Sequence, residues 1–309
     1  MLQVSDLSFS YSDSFAINKL NFSIKKGTIL AVIGESGCGK STLLKLIYGL
    51  YDLNHGAIMW NEKQVLGPKF QSIPGTDWMK YLAQDFDLMP FTTVAENIGS
   101  FLTNTNLEKK QQRILDLLQV VQMEAFEKTK VKSLSGGQMQ RVALAKALAF
   151  EPEVLLLDEP FSHIDNFLKN RLRRKLFAYL KQNQITTLMA THDVSDVLSF
   201  ADEVLVMKNG EIHAHDSPLK LYQNPKSKDV AALFDEVNEF EIDGTLHYIY
   251  PHQLKKVQKS SIKAKVLNHY FRGAFYLIEV AHQNKSLFFN HPEILETDTF
   301  VYLQISKTV

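Results

Sequence analysis

The chain has 309 residues, which is longer than the roughly 100 to 200 residues of one typical domain, so we expect two domains. Apolar residues make up 45% and charged residues 22%, a balance that excludes a disordered chain and indicates folded structure throughout. Lys plus Arg and Asp plus Glu are equal at 34 each, which excludes recognition of nucleic acid or of an anionic membrane by net charge alone.

Cysteine usage and the apolar pattern narrow the cellular setting. Cys38 is the one cysteine, so no disulfide can form within the chain. This cysteine content is compatible with a reducing cytoplasm. The first residues, MLQVSDLSFSYSD, are polar and acidic where a signal peptide needs a basic start and an apolar stretch. Because no later segment approaches the roughly 18 apolar residues of a membrane span, a membrane role would require a separate membrane partner.

A glycine-rich segment over 34–42 fits the pattern G-x-x-x-x-G-K-[ST] of a phosphate-binding loop. The apolar run 29–33 before it predicts a buried parallel strand, and apolar residues at helical spacing after it predict a helix over about 43–50. The alternative, an ordinary glycine-rich turn, does not explain this strand, loop and helix order. The predicted nucleotide-binding residues of the loop are Gly34, Glu35, Ser36, Gly37, Cys38, Gly39, Lys40, Ser41 and Thr42.

The chemistry of this loop follows from its residue types. Glycines allow a tight turn in which successive N–H groups point at phosphate oxygens, and the helix N-terminus adds partial positive charge. Lys40 supplies a formal charge for the β- and γ-phosphates, and Ser41 offers a hydroxyl to Mg²⁺. We expect Cys38 to be a small residue in a crowded loop, with a thiol made reactive by the helix N-terminus as the alternative.

The character of the sequence turns helical from about 92 to 150. Ile114, Leu117, Leu118 and Val121 predict one apolar helix face. The pentapeptide 134–138 opens an alanine- and leucine-rich helix, and its Ser and Gly residues provide a second helix N-terminus able to meet a γ-phosphate. The predicted phosphate-binding residues there are Ser135, Gly136, Gly137 and Gln138.

The apolar run 154–157 predicts a strand that ends in two carboxylates, Asp158 and Glu159. This pattern resembles a Walker B motif, in which Asp158 would hold Mg²⁺ through water and Glu159 would polarise the attacking water. Further apolar runs at 186–190 and 204–207 predict strands, and Asn209-Gly210 predicts a hairpin turn after the last of them. Since 186–190 precedes His192, that side chain is expected at a strand's carboxyl end, where open α/β sheets bind ligands.

The pentapeptide 134–138, LSGGQ, resembles the signature motif of the ABC ATPases, and the resemblance extends over about 1–230. Other motifs of that family appear in the same order. They are Tyr11 for the A-loop, Gln84 for the Q-loop, Ser162-His163-Ile164-Asp165 for the D-loop and His192 for the H-loop, with isoleucine at 164 where leucine is common. The resemblance implies that Tyr11 stacks on adenine, that Gln84 senses Mg²⁺ and water, and that His192 contacts the γ-phosphate.

Beyond about 235, the pattern changes to short strands near 237–242, 245–250, 262–267, 275–280, 286–289 and 300–305. Brief alternating strands at close spacing suggest a small OB-like barrel, which resembles a TOBE domain of importer ATPases. Lys and Arg are few and unclustered there, so no nucleic-acid partner is expected.

The predicted fold class is therefore an α/β P-loop NTPase of the ABC ATPase type over 1–234, with a helical subdomain at about 92–150, plus an all-β OB-like domain over 235–309. The resemblance implies ATP and Mg²⁺ as cofactors and a head-to-tail dimer of two copies. It also implies transmembrane permease subunits, a solute-binding protein as a further partner, and a place on the cytoplasmic face of the membrane. Glu159, His192 and Gln84 are the expected catalytic residues, and Ser41, Gln84 and Asp158 the expected metal ligands.

The expected function is the ATP-hydrolysing subunit of a transporter, with import favoured by the C-terminal barrel. The sequence of residues 210–235 favours a polyamine or an inorganic ion as the transported substrate. Two alternatives stay open: the ATPase of an exporter or lipoprotein-release complex, and a soluble ABC ATPase outside transport. Neither long coiled-coil insertions nor a second cassette, which are usual in the soluble class, appears in the sequence.

Overall fold

The structure, a computed structural model, describes residues 1–11, 15–83 and 86–306. It divides into two compact units, Met1–Pro218 and Leu219–Val309, and each has its own hydrophobic core. Among the described residues, no helix is both long enough and apolar enough to cross a bilayer.

The first unit contains two sheets. Its strands are β1 (Leu2–Ser10), β2 (Phe15–Ile24), β3 (Ile29–Ile33), β4 (His55–Trp60), β5 (Lys63–Gln64), β6 (Met79–Leu82), β7 (Val154–Asp158), β8 (Thr186–Ala190), β9 (Glu203–Lys208) and β10 (Glu211–Asp216). An antiparallel sheet has the order β2-β1-β4-β5, and Leu2, Ile24 and Trp60 align across its strands as buried neighbours. Because side chains alternate along a strand, this register turns one face of the sheet into the core.

The second sheet positions the phosphate loop. Its order is β10-β9-β3-β8-β7-β6, and all strands except β10 run parallel. Every residue of β3, β7 and β8 is buried, as the continuous apolar runs predict for strands covered on both faces. Since the parallel strands end at the same edge, the loops that follow β3, β7 and β8 are brought together there.

The helices of the first unit are α1 (Lys40–Ile47), α2 (Val94–Gly99), α3 (Leu107–Val121), α4 (Gly136–Ala149), α5 (Asn166–Gln182) and α6 (Val194–Phe200). α2, α3 and α4 pack against one another and form the helical region that the sequence predicts near 92–150. The buried residues of α3 are Ile114, Leu117, Leu118 and Val121, which are the four residues of the predicted apolar face.

The second unit combines two short helices with a β-rich body. Its elements are α7 (Pro218–Gln223), α8 (Lys228–Ala232), β11 (Asn238–Ile242), β12 (Thr245–Ile249), β13 (Leu254–Val257), β14 (Ile262–Phe271), β15 (Tyr276–His282), β16 (Lys285–His291) and β17 (Phe300–Ile305). β11 and β12 form the hairpin around Asp243-Gly244, and the other strands form a sheet of order β13-β17-β14-β15-β16. Asn238 joins the hairpin to β16, because its amide donates to the carbonyl of Phe288 at 2.8 Å and accepts from the same residue's N–H at 2.7 Å.

One feature of the second unit differs from the sequence expectation. The sequence pattern did not reveal β13, since Leu254–Val257 is a four-residue strand in which lysines occupy the two middle positions. The two compact units divide after Pro218, and the sequence prediction of a domain boundary at 234/235 stays a prediction. The aromatic packing explains this division, because Tyr222 stacks on Tyr250 with ring centroids 4.5 Å apart and also contacts Phe234.

Candidate functional site

The phosphate-binding loop follows β3 and ends at α1, as predicted. Gly34 has a φ of +149°, and a Cβ placed there would lie 2.1 Å from the carbonyl oxygen of Met207. Only glycine therefore allows the loop to pass this close to β9. Gly39, the residue before α1, has a φ of +106°, and a Cβ there would lie 3.0 Å from the carbonyl oxygen of Ala16.

The middle of the loop is open to solvent, whereas Cys38 is not. Glu35, Ser36 and Gly37 are exposed, and a Cβ at Gly37 would meet no atom within 4 Å. Cys38 is 6% exposed, and its carbonyl accepts a hydrogen bond from the N–H of Gly210 at 3.1 Å. This placement fits the small packing residue that the sequence favours, since little of the thiol is accessible.

Lys40, the first residue of α1, folds back over the loop. Its Nζ donates to the carbonyl oxygens of Gly34 at 2.8 Å and Glu35 at 2.9 Å. The ammonium group is therefore held above the loop backbone. A bound phosphate would exchange these neutral acceptors for charged oxygens, which form stronger hydrogen bonds with an ammonium group.

Ser41 and Asp158 meet although 117 positions separate them in the sequence. The Ser41 hydroxyl donates to Oδ1 of Asp158 at 3.0 Å, and the Tyr81 hydroxyl donates to Oδ2 at 3.2 Å. Both carboxylate oxygens of the buried Asp158 thus have partners. Tyr81 was not identified from the sequence, because an aromatic residue near the end of a strand gives no sign of its hydroxyl partner.

Glu159 and His192 form a second contact at the same sheet edge. The Nδ1 atom of His192 lies 2.9 Å from Oε1 of Glu159. Glu159 has a φ of +50°, in the left-handed region that costs a non-glycine residue roughly 1–2 kcal/mol. Its N–H donates to the carbonyl of Ala190 at 3.0 Å, which ties the end of β7 to the end of β8. Such a conformation is sustained by surrounding structure and is typical of functional sites.

The segment predicted to bind a second phosphate begins α4. Ser135 is the N-cap: its hydroxyl accepts from the N–H of Gln138, and the Gln138 side chain accepts from the N–H of Ser135. This reciprocal capping fixes the first turn of the helix. Gly136 borders open space, whereas a Cβ at Gly137 would lie 2.5 Å from the carbonyl oxygen of His163.

Gln140, another residue that the sequence did not single out, connects α4 to the segment around Glu159. It is 2% exposed, and its Nε2 donates to the carbonyl of Glu159 at 3.0 Å. Its Oε1 accepts from the N–H of His163 at 3.1 Å. A buried amide with both ends bonded in this way fixes the relative positions of the two segments.

Residues 162–165, the expected D-loop, lie in the segment between β7 and α5. The Ser162 hydroxyl donates to the carbonyl of Glu159 at 3.0 Å, Ile164 is buried, and Asp165 is the residue before α5. Isoleucine at 164 therefore fills an apolar position. Gln84, the expected Q-loop residue, lies outside the described residues.

Tyr11 lies near the start of α1. Its hydroxyl is 3.2 Å from the hydroxyl of Thr42, and its ring packs edge-on against Phe9 and Tyr51. The side chain is 54% exposed, which leaves a surface for a planar ligand. This placement is compatible with adenine stacking.

The described residues contain no cluster of three or more His, Cys, Asp and Glu side chains that could hold a metal ion alone. The Ser41 hydroxyl and the Asp158 carboxylate nevertheless form an adjacent pair of oxygen donors. Mg²⁺ prefers oxygen ligands and takes only one or two from a protein when it binds together with a nucleotide. These residues therefore fit Mg²⁺ that arrives with a nucleotide.

Comparison with protein families and curated sequences agrees with this geometry. The family described as "ABC transporter" matches residues 17–162. The spermidine/putrescine import ATP-binding protein PotA of Clostridioides difficile is 31% identical over 323 residues, which cover 94% of this chain and 91% of that protein. PotA of Salmonella typhimurium is 34% identical over 244 residues, or 78% of this chain, and the match spans only 63% of that relative's length. The Fe(3+) ions import ATP-binding protein FbpC of Escherichia coli O157:H7 is 36% identical over 241 residues, covering 77% of this chain and 68% of that protein.

Solved structures resemble about seven tenths of the chain. The ATP-binding cassette MJ0796, in a dimeric structure bound to ADP and Pi, has a TM-score of 0.62 at 25% identity and covers 71% of this chain and 99% of that one. The cbiO1 protein of Clostridium perfringens, part of the transporter complex cbiONQ, has a TM-score of 0.63 at 28% identity and covers 72% of this chain and 90% of that one. The predicted fold class is confirmed by these likenesses together with the additional C-terminal β-sheet.

Proposed function

Because the chain belongs to the ABC transporter family of ATP-binding proteins, we propose that it binds and hydrolyses ATP and that this reaction drives a membrane permease. One observation carries the proposal: the Glu159–His192 pair lies at the sheet edge where β3 leads into the phosphate-binding loop. A glutamate paired with an imidazole beside a phosphate loop suits the activation of water next to a γ-phosphate.

The residues around the loop divide the binding task. Tyr11 would stack on the adenine, and the N–H groups of 34–39 would surround the phosphates. Lys40 would turn from the loop carbonyls to the β- and γ-phosphate oxygens. Ser41 and Asp158 would hold Mg²⁺, which supplies positive charge against the developing charge of the phosphates. Gln84 would sense the water and the metal.

Glu159 and His192 would act on the reacting atoms. The carboxylate of Glu159 would orient the attacking water and accept its proton. His192, held to that carboxylate through Nδ1, would present the other side of its ring to the γ-phosphate. The left-handed backbone at Glu159 favours this assignment, since such a conformation is typical of functional sites.

A second copy of the chain would complete the site. The signature residues Ser135 to Gln138 begin a capped helix whose first glycine borders open space, so an anion held by another copy can approach it. The dimeric structure of MJ0796 supports this arrangement. We therefore propose a head-to-tail dimer that closes on ATP and opens after hydrolysis.

The relatives favour import. PotA is named for spermidine/putrescine import and FbpC for Fe(3+) ion import, so a polyamine or an inorganic ion is the proposed substrate class. The permease would hold the chain at the cytoplasmic face of the membrane, with a solute-binding protein supplying the substrate. Residues 235–309 would act as a TOBE-like accessory domain.

The hydrolytic assignment is tested by Glu159→Gln. Removing the charge while keeping the shape should leave ATP affinity within about twofold, stabilise the ATP-bound dimer and lower ATP turnover by at least about 100-fold. Glu62→Gln is the matched control, because Glu62 is exposed in the turn between β4 and β5. Retained ATP turnover in the Glu159 variant would refute the catalytic role of that residue. Absence of ATPase activity in the wild-type protein would refute the proposed enzymatic function.

The transport assignment needs a separate measurement. Affinity purification of the full chain from its native membranes, followed by mass spectrometry, should recover a polytopic permease and a solute-binding protein. Recovery of ribosomes or DNA without a membrane partner would overturn the transport role and leave the ATPase chemistry intact. Recovery of a permease that moves its substrate outward in vesicles would overturn import.

A further inference from the structure

A buried arginine lies beneath the His192 segment. Arg173, on α5, is 3% exposed, and its guanidinium forms ion pairs with Asp193 and Asp196. Lys169, one turn earlier on α5, adds a weaker contact to Asp193 at 3.5 Å. Since a buried guanidinium needs fixed acceptors, these carboxylates hold α5 against the start of α6.

The two residues that flank His192 belong to this network. The N–H of Asp193 donates to the hydroxyl of Thr191 at 3.1 Å, and that hydroxyl donates to Oδ2 of Asp196 at 3.1 Å. Asp193 also caps α6 by accepting from the N–H of Ser195 at 3.0 Å. Asp193 and Asp196, the two carboxylates that pair with Arg173, therefore fix the backbone on both sides of His192.

His192 has little packing of its own. Its side chain is 74% exposed, whereas that of Glu159 is 17% exposed. The direction of the imidazole therefore depends on the backbone at Thr191 and Asp193 and on its contact with the glutamate. Phe161, two residues after Glu159, also contacts this arginine, because the Arg173 guanidinium lies 5.4 Å from the centre of the Phe161 ring.

We infer that Arg173 is a positioning residue for the Glu159–His192 contact: it bridges the segment after Glu159, through Phe161, and the segment after His192, through Asp193. The expected change in ATP turnover rests on the proposed ATPase function, whereas the expected change in the position of His192 does not. A purely structural role for Arg173 would change stability without a specific effect at His192.

The kinetic test compares three variants on one helix. Arg173→Met removes both ion pairs, Arg173→Lys keeps the charge but loses the planar fork, and Arg174→Met is the control at the exposed neighbouring arginine. At a temperature below the unfolding transition of every variant, Arg173→Met should lower kcat by at least about tenfold, with KM and the affinity for ATP within about twofold. Arg173→Lys should fall between, and the Arg174 variant should match the wild type.

A spectroscopic readout keeps the inference testable without turnover. Histidine ring signals in ¹H–¹⁵N spectra report the hydrogen bonding of each imidazole, and comparison with His192→Ala identifies those of His192. These signals should shift or broaden in Arg173→Met and remain unchanged in Arg174→Met. If Arg173→Met does not fold, Arg173→Lys carries the same comparison.

The outcomes separate the inference from the proposed function. Unchanged His192 signals in a folded Arg173 variant would overturn the positioning role, and so would a change in KM alone. If the wild-type protein does not hydrolyse ATP, the proposed function fails, while the ring signals still decide whether Arg173 positions His192.

Discussion

Two adjacent glycines at the start of α4 have very different surroundings, and alanine should distinguish them. A Cβ at Gly137 would lie 2.5 Å from the carbonyl oxygen of His163, whereas a Cβ at Gly136 would meet no atom within 4 Å. Ordinary contacts of a Cβ begin at 3.4 Å, which is 0.9 Å longer than the 2.5 Å available at Gly137. Gly137→Ala must therefore push α4 and the 162–165 segment apart by nearly that amount. That displacement also stretches the bonds that Gln140 makes across the same interface.

The expected magnitude follows from two opposing effects. Overpacking of a close contact costs about 1–3 kcal/mol, whereas alanine in place of a helical glycine recovers about 0.5–1 kcal/mol. Gly137→Ala should therefore lose up to about 2.5 kcal/mol of stability, and Gly136→Ala should gain up to about 1 kcal/mol. For a domain of this size, each 1 kcal/mol shifts the unfolding midpoint by about 2–4 °C.

Thermal unfolding followed by circular dichroism, without nucleotide, measures this difference. Nucleotide is left out because both glycines lie in the segment proposed to meet ATP. A lower midpoint for Gly137→Ala and an equal or higher midpoint for Gly136→Ala are expected. Equal midpoints for the two variants would show that the contact with His163 does not constrain α4.

Two further predictions concern buried carboxylates. Tyr81→Phe removes the hydroxyl that donates to Asp158. The Mg²⁺ concentration for half-maximal nucleotide binding, measured by calorimetry, should therefore change by about 3- to 10-fold. An unchanged concentration would contradict a role for Tyr81 in holding the Asp158 carboxylate in position. Burial raises the pKa of Asp196 from 3.8 to about 6, so the stability contributed by its protonated form is full below pH 4 and lost as the pH rises through 6. Relative to Asp196→Asn, the wild type should therefore lose roughly 2 kcal/mol in urea unfolding between pH 4 and pH 7, and a pH-independent difference would refute the shift.

The sheet edge that carries the candidate site was predictable because its signals are local. The apolar runs that became β3, β7 and β8 are each followed directly by loop residues with phosphate or carboxylate chemistry. Parallel strands bring such loops to one edge whatever their separation in the sequence. Glu159 and His192 could thus be assigned to one site before their contact was known.

Long-range partners were not predictable from the same patterns. Tyr81 and Gln140 carry no motif of their own, yet their hydrogen bonds fix Asp158 and the carbonyl of Glu159. Arg173 is similar, since a helix with several Arg and Lys residues is typical of an exposed face. Only packing shows that one of these arginines is buried while its neighbour, Arg174, is exposed.

The second unit shows the same limit for strands. The prediction relied on short alternating runs, and it succeeded where apolar residues face the core, as in β15 and β17. β13 has only one fully buried residue, Leu254, so its alternation is too weak to detect. Its pairing with β17 decides its conformation, and that pairing joins residues 45 to 51 positions apart.

The hydrogen bonds of Gln140 give a physical basis for coupling α4 to the proposed catalytic carboxylate of Glu159. The amide, on a side chain that is 2% exposed, donates to the carbonyl of Glu159 and accepts from the N–H of His163, and both hydrogen bonds are partly buried. If α4 moved away by itself, each buried group left without a partner would cost about 1–3 kcal/mol. α4 and residues 159–163 should therefore move together. In the proposed dimer, a force applied to the signature residues by the ATP of the other copy would reach Glu159 in part through Gln140.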